Sequence, residues 1–389
     1  MKIVYFTLCI FMCIGCTSEK SIDTQCDQIK IDMLSITEKP LFLDFDYIRL
    51  ETQEDCLISY IDKILVVNRY LIIHSVRDRA VVLFDREGKY VRKFTNGQGP
   101  DDLIYPVDIS YDEKNDRLWI LDYYSTFREF TMEGKCINTI KNENAYMRLQ
   151  PYNGSLLLFT ANMTQKSPYL FEFIKNKQSV FFVEKDERFN NAVYIPTTSF
   201  CPVNDSIVFF YHQFEDRIYS WNEQTMKADI AYEVIYQNGR SIANWKGEGE
   251  LGTGGRNSEY QKLIDNREYI FGISNLYCLS DVLFFTVKDN TRKYCLYEMK
   301  NRTLQLYQDL ISGLPDLEII ELFTGENNTI LFALSPDAIQ NYIDNMPDNM
   351  SINKNFVKLK KMSEELNEDD NPVIIISKNR QSPEKEKIQ

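Results

Sequence analysis

Short apolar runs rich in Val, Ile, Tyr and Phe recur along most of the chain, many of them alternating with polar positions and separated by turn residues. This period-two pattern predicts strands rather than helices. Two stretches repeat each other. Phe84-Asp85-Arg86-Glu87-Gly88-Lys89-Tyr90-Val91-Arg92-Lys93-Phe94 is echoed by Phe130-Thr131-Met132-Glu133-Gly134-Lys135-Cys136-Ile137-Asn138-Thr139-Ile140, with Gly134 lying 46 positions after Gly88. Each copy reads as strand, Glu-Gly-Lys turn, strand, the glycine supplying the positive φ of a hairpin turn. Two more strands precede each copy, at 57–66 and 70–74 and then at 107–110 and 117–122. Four strands in about 45 residues is the size of one propeller blade.

Weaker copies follow. Strands are expected at 155–159, 169–173 and 179–183; at 206–211, 217–221 and 229–234; and at 277–279, 282–287, 294–298 and 304–308. A last unit opens at 318–323 and 329–334, breaks off, and resumes only at 373–377, one strand short. The segment 42–50 has strand character and precedes the first blade. It can supply the missing outer strand and close the ring, which would otherwise keep an open edge. The expectation is an all-β, six-bladed propeller of four-stranded antiparallel blades over residues 41–380.

In a propeller the links between blades and the connections between second and third strands emerge on one face. Here that face takes almost all the long connections: 95–105, 184–196, an insertion at 235–272 and another at 335–371. The first insertion carries Gly247, Gly249, Gly252, Gly254 and Gly255, then a short helix expected at 258–267. In the second, Ser335-Pro336-Asp337 is a helix start, with serine as N-cap and proline in the first turn, and another helix is expected at 356–366. Long loops gathered on one face of a rigid scaffold mark a binding surface.

The first residues differ from everything after them. Lys2 is followed by the apolar run 3–14 and by Cys13-Ile14-Gly15-Cys16. The run is shorter than the roughly 20 residues a spanning helix needs, so residues 1–15 read as a cleaved signal peptide. A small residue directly before a cysteine suits lipoprotein processing, with lipid on Cys16, although Cys13 stands where such signals usually carry Leu. Residues 16–40 are then expected as a lipidated cysteine and flexible spacer, and 381–389 as a polar tail. The mature chain would lie in the cell envelope on a lipid anchor, most simply at the outer membrane.

The chain carries a net charge of −13, which argues against nucleic acid, since a phosphate-binding surface needs clustered cations. Six cysteines remain beyond Cys16: Cys26, Cys56, Cys136, Cys201, Cys278 and Cys295. Their even number permits disulfides in an exported chain. Wide spacing and positions inside apolar strands favour buried free thiols and disfavour a zinc site.

The Glu-Gly-Lys turn, the following Gly97-Gln98-Gly99-Pro100, the stretch 112–122 and the late Asp369-Asp370-Asn371-Pro372-Val373 resemble the six-bladed β-propeller lipoproteins of Bacteroides-type bacteria. These are similar in turn to NHL-repeat and TolB-like propellers. The resemblance covers nearly the whole mature chain and implies fold and compartment; it does not imply an activity.

The chemistry offered by the sequence is sparse. The glycine cluster lacks the GxxxxGK[ST] pattern of a phosphate loop, and no GxSxG or other nucleophile motif is present. Acidic pairs such as Asp101-Asp102 and Asp369-Asp370 read as solvated loop charges. Asp205-Ser206-Ile207 resembles an O-glycosylation motif of this bacterial group. The two histidines lie in matching His-x3-Asp-Arg stretches, His74 to Arg79 and His212 to Arg217, three repeats apart and so opposite each other in a six-bladed ring. In NHL-like blades the histidine position is commonly Asp, as at Asp122.

One reading places His74 and His212 at the channel mouth as ligands of a divalent metal or as proton-transfer groups. NHL-like lyases use three histidines for zinc, so Asp122 or another carboxylate would have to complete the shell. The other reading makes each a cap of its own turn, with the arginine paired locally. The function expected is a non-catalytic binding propeller recognising a glycan, peptide or envelope protein through its long-loop face. His74, Arg79, Asp122, His212 and Arg217 are its candidate contacts. The alternative is a metal-dependent lyase or hydrolase of the NHL-propeller type.

Overall fold

The computed structural model describes residues 26–94, 99, 102–161, 167–189, 196–204, 206–246, 269–289, 291–347 and 353–380. The signal peptide, Cys16, the glycine cluster, the helix expected at 258–267, Asp101, Asp205 and the polar tail lie outside these residues. Six antiparallel sheets form the six blades of a propeller. Blade 1 runs Lys63–Val67, Tyr70–Ser75, Ala80–Asp85, Tyr90–Phe94, and blade 2 runs Pro106–Asp112, Arg117–Asp122, Thr126–Thr131, Cys136–Lys141. Blade 3 is Arg148–Tyr152, Ser155–Phe159, Tyr169–Lys175, Gln178–Glu184, and blade 4 is Phe200–Asn204, Ile207–Phe210, Arg217–Asn222, Lys227–Gln237. Blade 5 is Ile273–Leu279, Val282–Lys288, Arg292–Glu298, Thr303–Tyr307.

Blade 6 is the one assembled from both ends of the chain. Phe323–Thr324, Ile330–Leu334 and Val373–Arg380 are its first three strands, and Phe42–Arg49 is the fourth, antiparallel to Val373–Arg380 with Val373 opposite Arg49. The ring is closed by the strand that the sequence nominated. Asn371 locks this closure from the side. Its amide donates to Glu51 and Cys56 carbonyls, and its Oδ1 accepts from the Ile58 amide at 2.7 Å.

The expected spacer at 16–40 needs correction from residue 27 onward. Asp27–Asp32 lies parallel to Lys227–Gln237 as a fifth strand on blade 4, and Ile36–Thr37 adds in parallel to the outer strand of blade 5. Ile29 and Ile31 are fully buried there. The chain thus travels along the rim from blade 4 to blade 5 to the closing strand of blade 6. Alternation in Gln28-Ile29-Lys30-Ile31-Asp32 was the signal; its brevity made it look like spacer. The opening strand of blade 1 also starts later than expected, at Lys63, because 57–62 is a link.

Apolar side chains pack between blades rather than inside one central core. Between blades 3 and 4 the filling is aromatic: Phe171 meets Phe210 at 4.8 Å, and Phe182 stacks on Trp221 at 4.6 Å between ring centroids. The insertion in blade 6 carries two helices, α1 (Pro336–Asp344) and α2 (Lys354–Ser363). Ser335 caps α1 by accepting from the Ala338 amide, and Asn353 caps α2, so the second helix begins two residues earlier than expected. Ile339, Phe356, Leu359 and Met362 bury their side chains with Phe45, Leu310 and Ile311, which fixes the insertion onto blades 5 and 6. No helix among the described residues is long and apolar enough to cross a membrane. The six described cysteines are free thiols; Cys56, Cys201 and Cys295 are buried and the other three half-buried.

Candidate functional site

The first strand of every blade lines the central channel, so side chains near the starts of these strands gather at its mouth on the long-connection side. Three adjacent blades are bonded to one another there. Lys63 of blade 1 pairs with Asp108 of blade 2 at 2.9 Å, and the other carboxylate oxygen of Asp108 accepts the Leu149 amide of blade 3 at 2.9 Å. Burial lowers the pKa of the Lys63 ammonium, and the Asp108 charge opposes that shift.

Further toward the axis stand Tyr60, Asp62, Arg148, Tyr277 and Glu321, all half-buried. Asp62 and Glu321 belong to the links that enter blades 1 and 6, Arg148 is the first residue of blade 3, and Tyr277 comes from the inner strand of blade 5. The Arg148 charge acts on Asp62, Tyr277 and Glu321 together. Groups on blades 1, 5 and 6 thus lie near one cation on blade 3.

The guanidinium of Arg148 is oriented by backbone, its Nε donating to the Pro196 carbonyl and its Nη1 to the Met147 carbonyl, each at 2.8 Å. No carboxylate lies within ion-pair distance of it among the described residues. Asp62 accepts the Val76 amide at 2.7 Å, and the Tyr277 hydroxyl donates to the Leu322 carbonyl at 2.6 Å. The Glu321 carboxyl has no hydrogen-bond partner among the described residues. Burial pushes it up to about 7, with the nearby Asp62 charge adding and Arg148 and Arg292 subtracting. Asp62 is likewise raised, mainly by burial, and burial with the Glu321 and Asp62 charges pushes Tyr60 to about 12. Near neutrality the mouth therefore offers a fixed fork of N–H donors beside a carboxyl that changes protonation.

The residues singled out from sequence lie around this mouth, and the structure does not join them. His74 is 1% exposed, and its Nε2 donates to the Pro106 carbonyl of blade 2 at 3.0 Å. Burial holds its pKa down at about 4, so it is neutral at pH 7. His212, in blade 4, bonds the Gln213 carbonyl through Nδ1 and Glu215 through Nε2. His74 is thus held by the neighbouring blade and His212 within its own turn, in opposite blades, and the structure does not bring the two together. Among the described residues no group of three His, Cys, Asp or Glu has the arrangement of a metal site.

The matching Asp-Arg pairs hold their own turns and the neighbouring links. Asp78 accepts from the Ser59 amide and hydroxyl and from Ser75, and Asp216 accepts from Ser241. Arg79 adopts a positive φ of 51° and sets its guanidinium over the Tyr105 ring. Arg217 pairs with Glu215 at 2.9 Å. Asp122, fully buried, accepts the Ile104 and Tyr105 amides and pairs with Arg128, pinning the link into blade 2. A cleft of about 450 Å³ is lined by Asp186, Arg188, His212, Glu215, Asp216 and Arg217 among others. Both of its arginines are already paired, Arg188 with Asp186 and Arg217 with Glu215. Sequence reasoning passed over Asp62, Arg148 and Glu321 because no motif holds them. The only available signal was position, at or just before the start of an inner strand.

The fold has close counterparts among solved structures. The crystal structure of a Bacteroides fragilis protein described as a "putative exported protein" superposes with a TM-score of 0.72 at 16% identity, covering 91% of this chain and 99% of that one. A member of the DUF4221 family from Bacteroides vulgatus superposes with a TM-score of 0.53 at 9% identity, covering 88% and 100%. Similarity at this identity speaks to architecture alone. No curated protein matches the chain. The model of a domain of unknown function, DUF4934, matches residues 22–378, and the chain therefore belongs to the DUF4934 family.

Proposed function

We propose that this chain is an envelope-tethered, non-catalytic binding module that takes its ligand at the channel mouth, on the face carrying the long connections. The observation behind this reading is the convergence of Arg148, Asp62, Glu321, Tyr60 and Tyr277 from four blades. Arg148 there is oriented by backbone carbonyls rather than by a carboxylate, and Glu321 has no partner among the described residues. A cation and a carboxyl left without an ion-pair partner among the described residues at a solvent-reachable mouth suit a ligand's polar groups. The lyase alternative needs His74 and His212 to share a metal, and their separate bonds, to Pro106 and to Glu215, give it no support.

Lipid on Cys16 supplies the tether in this reading, with Bacteroides-type outer membrane as the compartment. The way the chain joins the fold favours an orientation. Asp27 pairs with Arg302 at 2.8 Å, and Arg302 stands in the turn between third and fourth strands of blade 5, on the face opposite the long connections. The tether then reaches the disc from the short-turn side and leaves the mouth turned away from the membrane. The test is binding of the detergent-solubilised full-length chain to a panel of glycans, peptides and envelope proteins, with Arg148→Met as control. A ligand lost on that substitution is expected. Measurable turnover with no ligand in a broad panel would overturn the proposal.

A further inference from the structure

The mouth also indicates which chemistry it takes. Resting on the binding reading above, we infer that the channel mouth holds an acidic sugar residue, a uronate of a glycan, with its carboxylate on Arg148 and its hydroxyls on Asp62 and Glu321.

Arg148 is the anchor. Two backbone carbonyls fix the plane of its guanidinium through Nε and Nη1, which leaves Nη2 and the second Nη1 hydrogen as donors. A planar fork already held in place loses little conformational freedom on meeting a carboxylate, and the pair of parallel bonds it makes is among the stronger polar contacts available. Of the other cations near the mouth, Lys63 is consumed by Asp108 and Arg292 commits both Nη1 and Nη2 to the Ile319 and Ile320 carbonyls, which leaves Arg148 as the fork with an uncommitted Nη2.

The groups around Arg148 fit the remainder of a sugar better than the remainder of a peptide. Asp62 and Glu321 bring carboxyl oxygens that accept from hydroxyls. Tyr60 and Tyr277 bring rigid faces that are apolar on the ring and polar at the rim. A peptide taken up through its backbone would need an unpaired strand edge, and each first strand here pairs with its second strand on one side and turns its other edge to the narrow channel. The overall charge of −13 works against a long polyanion, so the mouth suits one acidic residue within or at the end of a chain that is otherwise neutral.

Proton uptake accompanies binding. The groups that face Glu321 are Arg148 from blade 3, Arg292 and Tyr277 from blade 5, and Asp62 and Tyr60 from the link into blade 1. A ligand carboxylate on Arg148 neutralises the cation that favours ionised Glu321 and adds a second negative charge beside it. Both changes favour the protonated carboxyl, which then donates a hydrogen bond to the ligand. By linkage, what raises the proton affinity on binding weakens binding as pH rises past the free value near 7, by at most about tenfold per pH unit for one proton.

Calorimetry on the detergent-solubilised full-length chain provides the test. The probes are a galacturonate trisaccharide, a glucuronate-terminated disaccharide, their neutral galactose and glucose counterparts, and a tripeptide with a free C-terminal carboxylate. One of the uronates is expected to bind at least about tenfold more tightly than its neutral counterpart, and more tightly at pH 6 than at pH 8. Arg148→Met should cost tenfold or more, with Arg148→Lys intermediate, and circular dichroism checks that both fold. In Glu321→Gln, which removes the titrating carboxyl that meets the ligand, the affinity that remains should lose most of its pH dependence. Equal binding of neutral and acidic sugars, or tripeptide binding that depends on Arg148, overturns the inference. Binding of other glycans without the uronates overturns it while leaving the module reading intact.

Discussion

Phe45 tests whether the closing strand carries the stability of the ring. Its ring is fully buried in the cluster that joins blade 6 to α2, and the Lys358 ammonium lies 4.7 Å from its centroid. Phe45→Ala removes a buried aromatic, at about 3–5 kcal/mol, and the cation contact, at roughly 0.5–1 kcal/mol. A loss of about 4 kcal/mol is a large share of the 5–15 kcal/mol that typically separates folded from unfolded chains. With a urea m-value of about 3 kcal/mol per molar, the unfolding midpoint should fall by more than about 1 M, read from tryptophan fluorescence.

The control is Phe127→Ala, an equally buried ring inside blade 2, whose four strands are contiguous in sequence. It should lose comparable stability. Only the Phe45 variant should also gain early proteolytic cuts in residues 26–50 under native conditions, because loosening the closing strand frees the rim segment before the blades unfold. A midpoint shift under about 0.3 M, or cuts no earlier than in the control, would refute the idea that the ring is held shut at this point.

Three further outcomes follow from buried polar groups. Asp108→Asn strands the buried Lys63 ammonium and should cost about 3–5 kcal/mol in urea unfolding, whereas Lys63→Met with Asp108→Leu should cost far less; equal losses would mean the pair is not the relevant unit. Asn371→Ala, which leaves the Ile58 amide and the Glu51 and Cys56 carbonyls without their partner, should cost about 1–3 kcal/mol and speed cleavage near residues 51–58. Burial gives Glu321 a raised folded-state pKa and His74 a depressed one, so their pH effects oppose each other. Glu321 holds a proton in the fold that the unfolded chain has released between about 4.5 and 7, and its contribution is lost as pH rises through that window. The stability of Glu321→Gln relative to the parent should therefore climb from pH 4.5 to 7 and level off above, while His74→Gln should gain relative stability as pH falls from 6.5 toward 4; a flat difference in either variant would refute the assigned shift.

Architecture was legible because a blade is a local object. Four strands and three tight turns lie within about 45 residues, and the hairpin at Asp85–Lys89 announces its geometry through Gly88, whose φ is 85°. Even the long-range closure could be read, since counting strands showed one missing and one spare. Where pairing partners are distant and the strand is short, the signal fails. Ile29 and Ile31 alternate with polar residues for only six positions, and nothing in those six names blade 4 as the partner.

The site was legible only in negative. His74 and His212 stood out because histidine is rare in this chain and the two stretches match, yet matching position in a repeat is what a shared structural duty also produces. In both matched stretches the aspartate accepts from a serine, Ser75 in its own turn for Asp78 and Ser241 in the following long connection for Asp216, so the shared pattern serves to anchor structure. A binding mouth obeys the opposite logic. It needs unlike groups from different blades, and Asp62, Arg148 and Glu321, at or just before the starts of their inner strands, are residues of different kinds that share no motif. Internal symmetry, which made the propeller readable, therefore drew attention to the residues that build it and away from those that break it. In a repeat protein of this kind the charged residues that depart from the repeat at the starts of inner strands are the ones to test first, and here that means Arg148.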